Sequence, residues 1–216
     1  MKKVAVILAG CGRMDGSEIH ESVLTLLSIT QANAGYKCFS LDQDQYHVIN
    51  HLSNEAVPEK RNMLIESARI ARGDVARLET LDVTEFDALI IPGGNGTAYN
   101  LFDLAISGAA YKVNPVVADI CRKFTENHKP VGFICIAPAM IPAIYDSPVN
   151  LTIGTDEATA ALLTRKGAIH HSHKVNEICV DEKHKIVTTP AYMLANSILE
   201  AYAGINKLVN KVIELA

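Results

Sequence analysis

Short apolar segments alternate along this chain with segments in which apolar residues recur every three or four positions. The apolar segments are rich in β-branched residues and end at turns, which is typical of buried strands. Predicted strands cover residues 3–8, 36–41, 86–91, 131–134 and 151–153, with a hairpin of 177–181 and 186–189. Predicted helices cover residues 18–34, 61–72, 98–106, 115–127, 136–145, 157–166 and 192–215.

This alternation predicts the fold class. Strands that are separated by helices of this length form a mainly parallel sheet with helices on both faces, so we predict an α/β protein. Ligands bind such folds at the carboxyl ends of the strands. Three loops then share one edge of the sheet: residues 9–17, residues 92–97 and the turn at Cys135. The pattern loosens only between Asp42 and Asp74, where we expect a short excursion from the sheet.

The composition fits one domain and disfavours several partners. A chain of 216 residues that is 49% hydrophobic can bury a sizeable core, and no linker divides it, so we predict a single domain over 1–216. A net charge of −4 leaves no basic field for nucleic acid, and no apolar run approaches the roughly 18 residues of a membrane span. Five cysteines without a CxxC indicate free thiols in a reducing compartment, and we predict a cytoplasmic protein.

The most informative segment is PVGFICIAPA, at residues 130–139. Here Cys135 falls on the turn between a predicted strand and a predicted helix, where backbone amides and the helix dipole lower the pKa of a thiol. An isolated cysteine is more often a packing residue, and we interpret Cys38, Cys121 and Cys179 in that way. The position of Cys135 favours a nucleophile instead.

Two further features of the same edge could assist a nucleophile. The turn PGGNG at 92–96 exposes amides that could receive a developing oxyanion, and the amide of Ile136 could supply a second donor. Glu18 or Glu21, at the start of the first helix, could hold a carboxyl with a raised pKa against the thiol. Either residue could instead serve only the helix dipole, and the residues alone do not choose between these roles.

Two other chemistries are disfavoured. Residues 10–16 nearly imitate a dinucleotide fingerprint, but Asp15 stands where the third glycine belongs and would repel a pyrophosphate. His170, His171 and His173 suggest a metal site, yet adjacent residues of an extended segment point to opposite faces, and no suitable carboxylate or cysteine spacing accompanies them. We therefore predict neither a cofactor nor a metal ion.

Three segments carry a resemblance to known proteins: VAVILAGCG at 4–12, PGGNGTA at 92–98 and the turn around Cys135. They resemble the PfpI and Parkinsonism-associated deglycase superfamily, which is related to class I glutamine amidotransferases. Nearly the whole chain is similar to one branch, the ElbB glyoxalases, also called sigma cross-reacting or enhancing lycopene biosynthesis proteins. The resemblance implies a flavodoxin-like three-layer sandwich with a nucleophile elbow, one class I glutamine amidotransferase-like domain and a homodimer.

The resemblance also implies roles for particular residues. Cys135 would be the catalytic nucleophile, Glu18 its catalytic carboxyl partner, and Gly94 and Ile136 the oxyanion-hole amides. Many relatives carry a histidine close behind the cysteine or after the following strand, whereas Ile136 follows Cys135 here and residues 154–161 contain none. A peptidase or a glutaminase is therefore disfavoured, because the thiol lacks its usual base.

The leading hypothesis from the sequence is a cofactor-independent glyoxalase, a glutathione-independent lyase that converts glyoxal to glycolate through a hemithioacetal on Cys135. The same chemistry would appear as deglycase activity on proteins. The alternative is a cysteine-based redox or stress sensor, or an interaction protein, in which Cys135 is oxidised without turnover. A glutaminase ranks last.

Overall fold

A computed structural model describes residues 1–216, which form a seven-stranded sheet, two small two-stranded sheets and flanking helices. The strands are β1 (Lys3–Ile7), β2 (Gly35–Ser40), β3 (Val48–Asn50), β4 (Glu55–Val57), β5 (Val75–Arg77), β6 (Ala88–Ile91), β7 (Val131–Ile134), β8 (Asn150–Leu151), β9 (Ile169–His170), β10 (Cys179–Asp181) and β11 (Ile186–Thr189). The α-helices are α1 (Ile19–Gln31), α2 (Met63–Ile70), α3 (Thr97–Asn100), α4 (Leu104–Ser107), α5 (Pro115–Glu126), α6 (Ile141–Ile144), α7 (Glu157–Arg165) and α8 (Ile198–Leu215). None of the helices combines the length and the apolar character needed to cross a bilayer.

The large sheet has the order β10-β11-β7-β6-β1-β2-β5. Every neighbouring pair is parallel except β10 and β11, which form the predicted hairpin. The chain runs outward from β1 to β5 and then returns to β6 on the other side of β1, so the strand order reverses between β1 and β6. Such a reversal opens a crevice at the carboxyl ends of the strands. The predicted α/β class is confirmed.

Successive side chains of β1 point alternately to the two faces of the sheet. Val4 and Val6 enter an apolar cluster with residues of α1 and α8, while Ala5 and Ile7 enter a second cluster with residues of α5, α6 and α7. All four side chains are fully buried. Because burial of one aliphatic side chain contributes about 1.5 to 3 kcal/mol, this central strand anchors both layers of helices.

The excursion between β2 and β5 contains the β3-β4 hairpin and α2, and it packs over the loops at the carboxyl edge. The amide of Ile49 donates to Oδ2 of the buried Asp15 at 2.8 Å, and the amide of Tyr46 donates to Oδ1 of Asn100 at 2.9 Å. Asn100 in turn donates through Nδ2 to the carbonyls of Ala9 and Asp15. The excursion therefore ties the loop after β1 to the helix that follows β6.

Three predicted helices are shorter or less regular than the apolar spacing suggested. The segment 98–106 is split into α3 and α4, because Phe102 pairs with Val113 in an isolated antiparallel bridge. The segment 136–145 starts as a 3-10 helix at 137–140 and becomes α-helical only from Ile141. The last helix begins at Ile198, where the hydroxyl of Ser197 accepts from Glu200 N as an N-cap.

A close contact between two glycines joins the first two loops of the carboxyl edge. A Cβ on Gly96 would lie 1.9 Å from the backbone nitrogen of Gly16. Gly96 has φ −60°, an angle that any residue adopts, so the requirement for glycine comes from the approach of the two backbones. This contact sets the spacing between the loop after β1 and the loop after β6.

We predict that Gly96→Ala destabilises the protein by at least about 2 kcal/mol, because the added methyl group must push two backbones apart. The measurement is the free energy of unfolding in urea. Gly35→Ala is the matched control, since a Cβ there would meet only Met1 Cε at 3.5 Å, an ordinary contact. Equal stability of the two variants would contradict this account of the loop contact.

Candidate active site

Cys135 occupies the predicted turn at the carboxyl end of β7. Its φ is +62°, in the left-handed region that residues with a Cβ rarely adopt, and such a conformation costs on the order of 1 to 3 kcal/mol. The amide of Cys135 donates to the carbonyl of Thr189 at 2.9 Å, which holds the turn against β11. The residue is only 7% exposed. A strained cysteine at a strand-to-helix turn is the arrangement of a nucleophile elbow.

The buried carboxyl of Glu21 faces the thiol of Cys135, and a hydrogen bond joins the two side chains. Its two oxygens are also held by backbone amides: Gly93 N donates to Oε2 at 2.9 Å, and Tyr192 N donates to Oε1 at 3.2 Å. Only glycine at position 93 leaves room for the two side chains, because a Cβ there would lie 2.6 Å from Cys135 Cβ and 3.0 Å from Glu21 Oε2. The carboxyl is therefore fixed beside the sulfur by three separate segments of chain.

Glu18, which the resemblance implied as the partner of Cys135, has a different position. It is the N-cap of α1, and its Oε2 accepts from the amide of Glu21 at 2.7 Å. The amide of Glu18 donates to the carbonyl of Gly93 at 2.9 Å. Glu18 therefore fixes the start of α1 and the loop after β6, while Glu21, three residues later, turns toward the sheet. The sequence carries one signal for these different roles. Glu18 and Glu21 are three residues apart, which is the spacing between an N-cap residue and the third residue of its helix.

Burial and, after it, the negative charge of Glu18 raise the pKa of Glu21 to about 7, against hydrogen bonds that lower it. Burial also raises the pKa of the Cys135 thiol well above its ordinary value, and the charge of Glu21 adds to this effect. The expectation of a lowered thiol pKa is therefore wrong. When Glu21 is ionised, the Cys135 thiol keeps its proton. The Glu21 carboxylate is therefore placed to accept the thiol proton during a reaction.

The two amides that the sequence suggested as oxyanion donors both approach the sulfur. Hydrogen bonds from the backbone of Gly94 and Ile136 lower the pKa of the Cys135 thiol, although less than burial raises it. Gly94 has φ +107°, and a Cβ there would lie 2.5 Å from the amide nitrogen of Glu18, so this loop requires glycine. An oxygen on a carbon bonded to the sulfur would lie close to both donors.

A cavity of about 280 Å³ opens beside these donors. Most of its lining is apolar. Two of the lining residues also belong to the site: Ile136 follows Cys135, and Asn95 lies in the turn at residues 92–96. The residues that line it are Asn95, Ala98, Tyr99, Leu104, Ala105 and Ile136. A small organic substrate would fit this volume.

Tyr192 is a component of the site that sequence reasoning missed. Its amide binds Glu21, and its hydroxyl lies 2.8 Å from Nδ1 of the exposed His20. Burial and the charges of Glu18 and Glu21 raise the pKa of this tyrosine. No local sequence signal marks Tyr192, because it reaches the site from 171 positions along the chain.

His170 and His171, at the end of β9, make hydrogen bonds to residues in and just after β8. His170 Nε2 lies 3.3 Å from the amide of Ile153, and His171 Nε2 lies 2.7 Å from Oδ1 of Asn150. No group of three or more histidine, cysteine, aspartate or glutamate side chains in the chain has an arrangement suited to a metal ion.

The fold and the cysteine elbow define a class I glutamine amidotransferase-like protein, with a fold that the DJ-1, ThiJ and PfpI proteins share. A crystal structure from Ehrlichia chaffeensis, of an isoprenoid biosynthesis protein with an amidotransferase-like domain, matches with a TM-score of 0.92 and 37% identity over 100% of this chain and 99% of that one. Drosophila melanogaster DJ-1beta matches with a TM-score of 0.56 and 17% identity over 100% and 95% of the two chains, which shows the fold alone. No family model matches the chain.

Two mammalian proteins define the family more closely. The rat ES1 protein homolog, mitochondrial, is 39% identical over 99% of this chain and 84% of its own length. The human glutamine amidotransferase-like class 1 domain-containing protein 3, mitochondrial, is 39% identical over 99% of this chain and 83% of its own length. The chain therefore belongs to the ES1 family, and the predicted relationship to class I glutamine amidotransferase-like proteins is confirmed. The fold is also that of the DJ-1 and PfpI proteins.

The prediction of a cytoplasmic protein is contradicted by these relatives. The rat and human proteins, and a zebrafish ES1 protein that is 30% identical over 98% of this chain, are all named as mitochondrial. The five cysteines are free, but free thiols indicate only a reducing environment and do not distinguish one such compartment from another.

We predict that Glu21→Gln lowers the pH at which iodoacetamide modifies Cys135. Alkylation requires the thiolate, so its rate rises with pH through the thiol pKa, which burial and, after it, the charge of Glu21 hold above the ordinary value. Removing that charge should shift the midpoint downward. The measurement is the alkylation rate at Cys135 from pH 6 to 11, followed by peptide mass spectrometry.

Glu18→Gln is the matched control, because a glutamine oxygen can still accept from the amide of Glu21. Its midpoint should remain closer to that of the wild type. A larger shift in Glu18→Gln than in Glu21→Gln would show that the wrong carboxyl has been paired with the thiol.

Proposed function

We propose that this protein is a cofactor-independent glyoxalase that converts glyoxal to glycolate. The observation that supports this function best is the contact between the buried Glu21 carboxyl and the Cys135 thiol, with the amides of Gly94 and Ile136 at the same sulfur. Isomerisation of a dialdehyde needs a nucleophile, a stabilised oxyanion and one group that moves protons. The site provides these three and has no histidine in contact with the thiol.

The first step forms a hemithioacetal. Cys135 Sγ bonds to one aldehyde carbon of glyoxal while Glu21 accepts the thiol proton, and the carbonyl π electrons move to oxygen. The amides of Gly94 and Ile136 then hold that oxygen. Ionisation of the thiol is coupled to the attack, which explains how a thiol with a raised pKa can act as the nucleophile.

The second step moves hydrogen between the two carbons. Glu21 gives its proton to the oxyanion and then removes the proton from the carbon bonded to sulfur, so that the electrons of the second carbonyl move to its oxygen and an enediolate forms. Glu21 returns this proton to the other carbon, while the hydroxyl proton on the sulfur-bearing carbon moves to the second oxygen and leaves a carbonyl behind. The product is a glycolyl thioester of Cys135, and no external oxidant or reductant is needed. Water then cleaves the thioester to glycolate and restores the thiol. A carboxyl with a pKa of about 7 suits a group that accepts and donates protons near neutral pH.

The alternative of a redox sensor has less support. Peroxide oxidises thiolates, and exposed cysteines with a low pKa are the ones most readily modified. Cys135 is 7% exposed and its pKa is raised. These properties favour a thiol that is activated by its substrate.

We expect the purified protein to convert glyoxal to glycolate without glutathione, and we expect Cys135→Ala to abolish turnover. Glu21→Gln should lower kcat by about 10² to 10⁴, the usual contribution of a general acid and base. Glu18→Gln should retain activity within about tenfold, because a glutamine can preserve the cap of α1. The measurement is glycolate formation followed by chromatography or NMR.

Two outcomes would contradict the proposal. One is a folded wild-type protein that is inert toward glyoxal while peroxide modifies Cys135 selectively, which would favour the sensor. The other is full activity in Glu21→Gln, which would remove the proposed proton carrier.

A further inference from the structure

A second group of side chains has the connectivity of a catalytic triad and lies apart from Cys135. Ser147 Oγ is 2.8 Å from Nε2 of His184, and His184 Nδ1 is 2.8 Å from Oδ1 of Asp181. With the Nδ1 proton donated to the carboxylate, Nε2 of the neutral imidazole is an acceptor for the serine hydroxyl. This is the order serine, histidine, aspartate that activates a hydroxyl nucleophile.

Hydrogen bonds hold the carboxylate of Asp181, the third member of this triad, in a fixed orientation. Asp181 is the last residue of β10, with a side chain only 3% exposed, and its Oδ2 accepts from N and Nδ2 of Asn150 at 2.8 and 3.0 Å. Although burial acts to raise it, the pKa of Asp181 lies below its ordinary value because of hydrogen bonds from Asn150 and His184. The aspartate therefore remains charged and can stabilise an imidazolium on His184.

The triad is at the opposite edge of the sheet from the cysteine site. Cys135 follows the carboxyl end of β7, whereas His184 lies two residues before the start of β11. Because β7 and β11 are parallel, with Val131 opposite Ile186, His184 lies near the amino end of β7. The length of a strand separates the two sites, so the triad has no part in the chemistry proposed for Cys135.

A partly open cavity of about 110 Å³ lies against the serine. It is bounded by residues 141–142 of α6, by residues 145–149 in the following loop and by residues 166–168 after α7. Ser147 lines it together with Asp146 and Lys166, and Nζ of Lys166 lies 4.4 Å from the centroid of the Tyr111 ring. Pro148 follows the serine and has no amide proton, so the usual backbone oxyanion donor is absent and Lys166 is the available positive charge.

We propose that Ser147, His184 and Asp181 form a second reactive site that accepts the acyl group of short-chain esters. Ser147 Oγ bonds to the ester carbonyl carbon while His184 takes the hydroxyl proton, and the carbonyl π electrons move to an oxygen within the cavity that Lys166 lines. Collapse breaks the carbon–oxygen bond to the alcohol, which leaves with the proton from His184. Water then hydrolyses the acyl-serine by the same route. The small cavity volume restricts the acyl group to a few carbons.

The test is covalent labelling by a fluorophosphonate probe in the Cys135→Ala variant, where the other nucleophile is absent. Ser147 Oγ would bond to phosphorus and displace fluoride, and peptide mass spectrometry would locate the adduct. We expect modification of Ser147, a rate at least about 100-fold lower in His184→Gln, and no adduct at that position in Ser147→Ala. Ser107 is an internal control, since its Oγ donates to Oδ2 of Asp103 at 2.7 Å without a histidine.

Esterase activity gives an independent readout. The Cys135→Ala protein should hydrolyse p-nitrophenyl acetate, and this activity should be lost when either Ser147→Ala or His184→Gln is added. A folded Cys135→Ala protein in which the probe modifies Ser147 no faster than Ser107 would overturn the proposal. So would a labelling rate that is unchanged in His184→Gln, because the triad would then be only a structural link between the β10-β11 hairpin and the loop at Ser147.

Discussion

The burial of one carboxyl group against one thiol is the constraint on which the rest of the cysteine site depends. Glu21 is fully buried, and a charge in that position is tolerated only because backbone amides from two distant loops donate to its oxygens. Burial and, after it, the charge of Glu21 raise the pKa of the Cys135 thiol, so the thiol keeps its proton. The loop at residues 92–96, the start of α1 and the turn after β11 are held in one arrangement by the hydrogen bonds that the Glu21 carboxyl accepts.

Three glycines of the loop after β6 leave the space that this arrangement needs. Gly93 leaves space for the sulfur and the carboxyl, Gly94 turns its amide toward the sulfur, and Gly96 lets the first loop approach the second. The excursion between β2 and β5 adds a further tie, through Asp15 and Asn100, at the same edge. The site is therefore built largely from backbone, which leaves few side chains to select a substrate and suits a small aldehyde.

The sequence predicted those features whose signals are local. Cys135 was found because a buried strand, a cysteine and a small-residue turn follow one another, and the parallel sheet was found from the alternation of apolar runs with amphipathic segments. The choice between Glu18 and Glu21 depends on which carboxyl caps α1, and the amide of Tyr192 arrives from the far end of the chain. The contact between Ser147 and His184 likewise joins positions 37 residues apart, and only the folded chain brings them together.

The central claim is that Glu21 titrates near neutral pH because it is buried beside Cys135. The most direct measurement is the chemical shift of the Glu21 side-chain carboxyl carbon, in protein labelled with ¹³C-glutamate, followed from pH 4 to 9 and assigned with Glu21→Gln. The account predicts a midpoint of about 7, well above that of an exposed glutamate. A midpoint near the ordinary value of about 4.3 would contradict it, because burial beside Cys135 would then have no effect on the ionisation of the carboxyl.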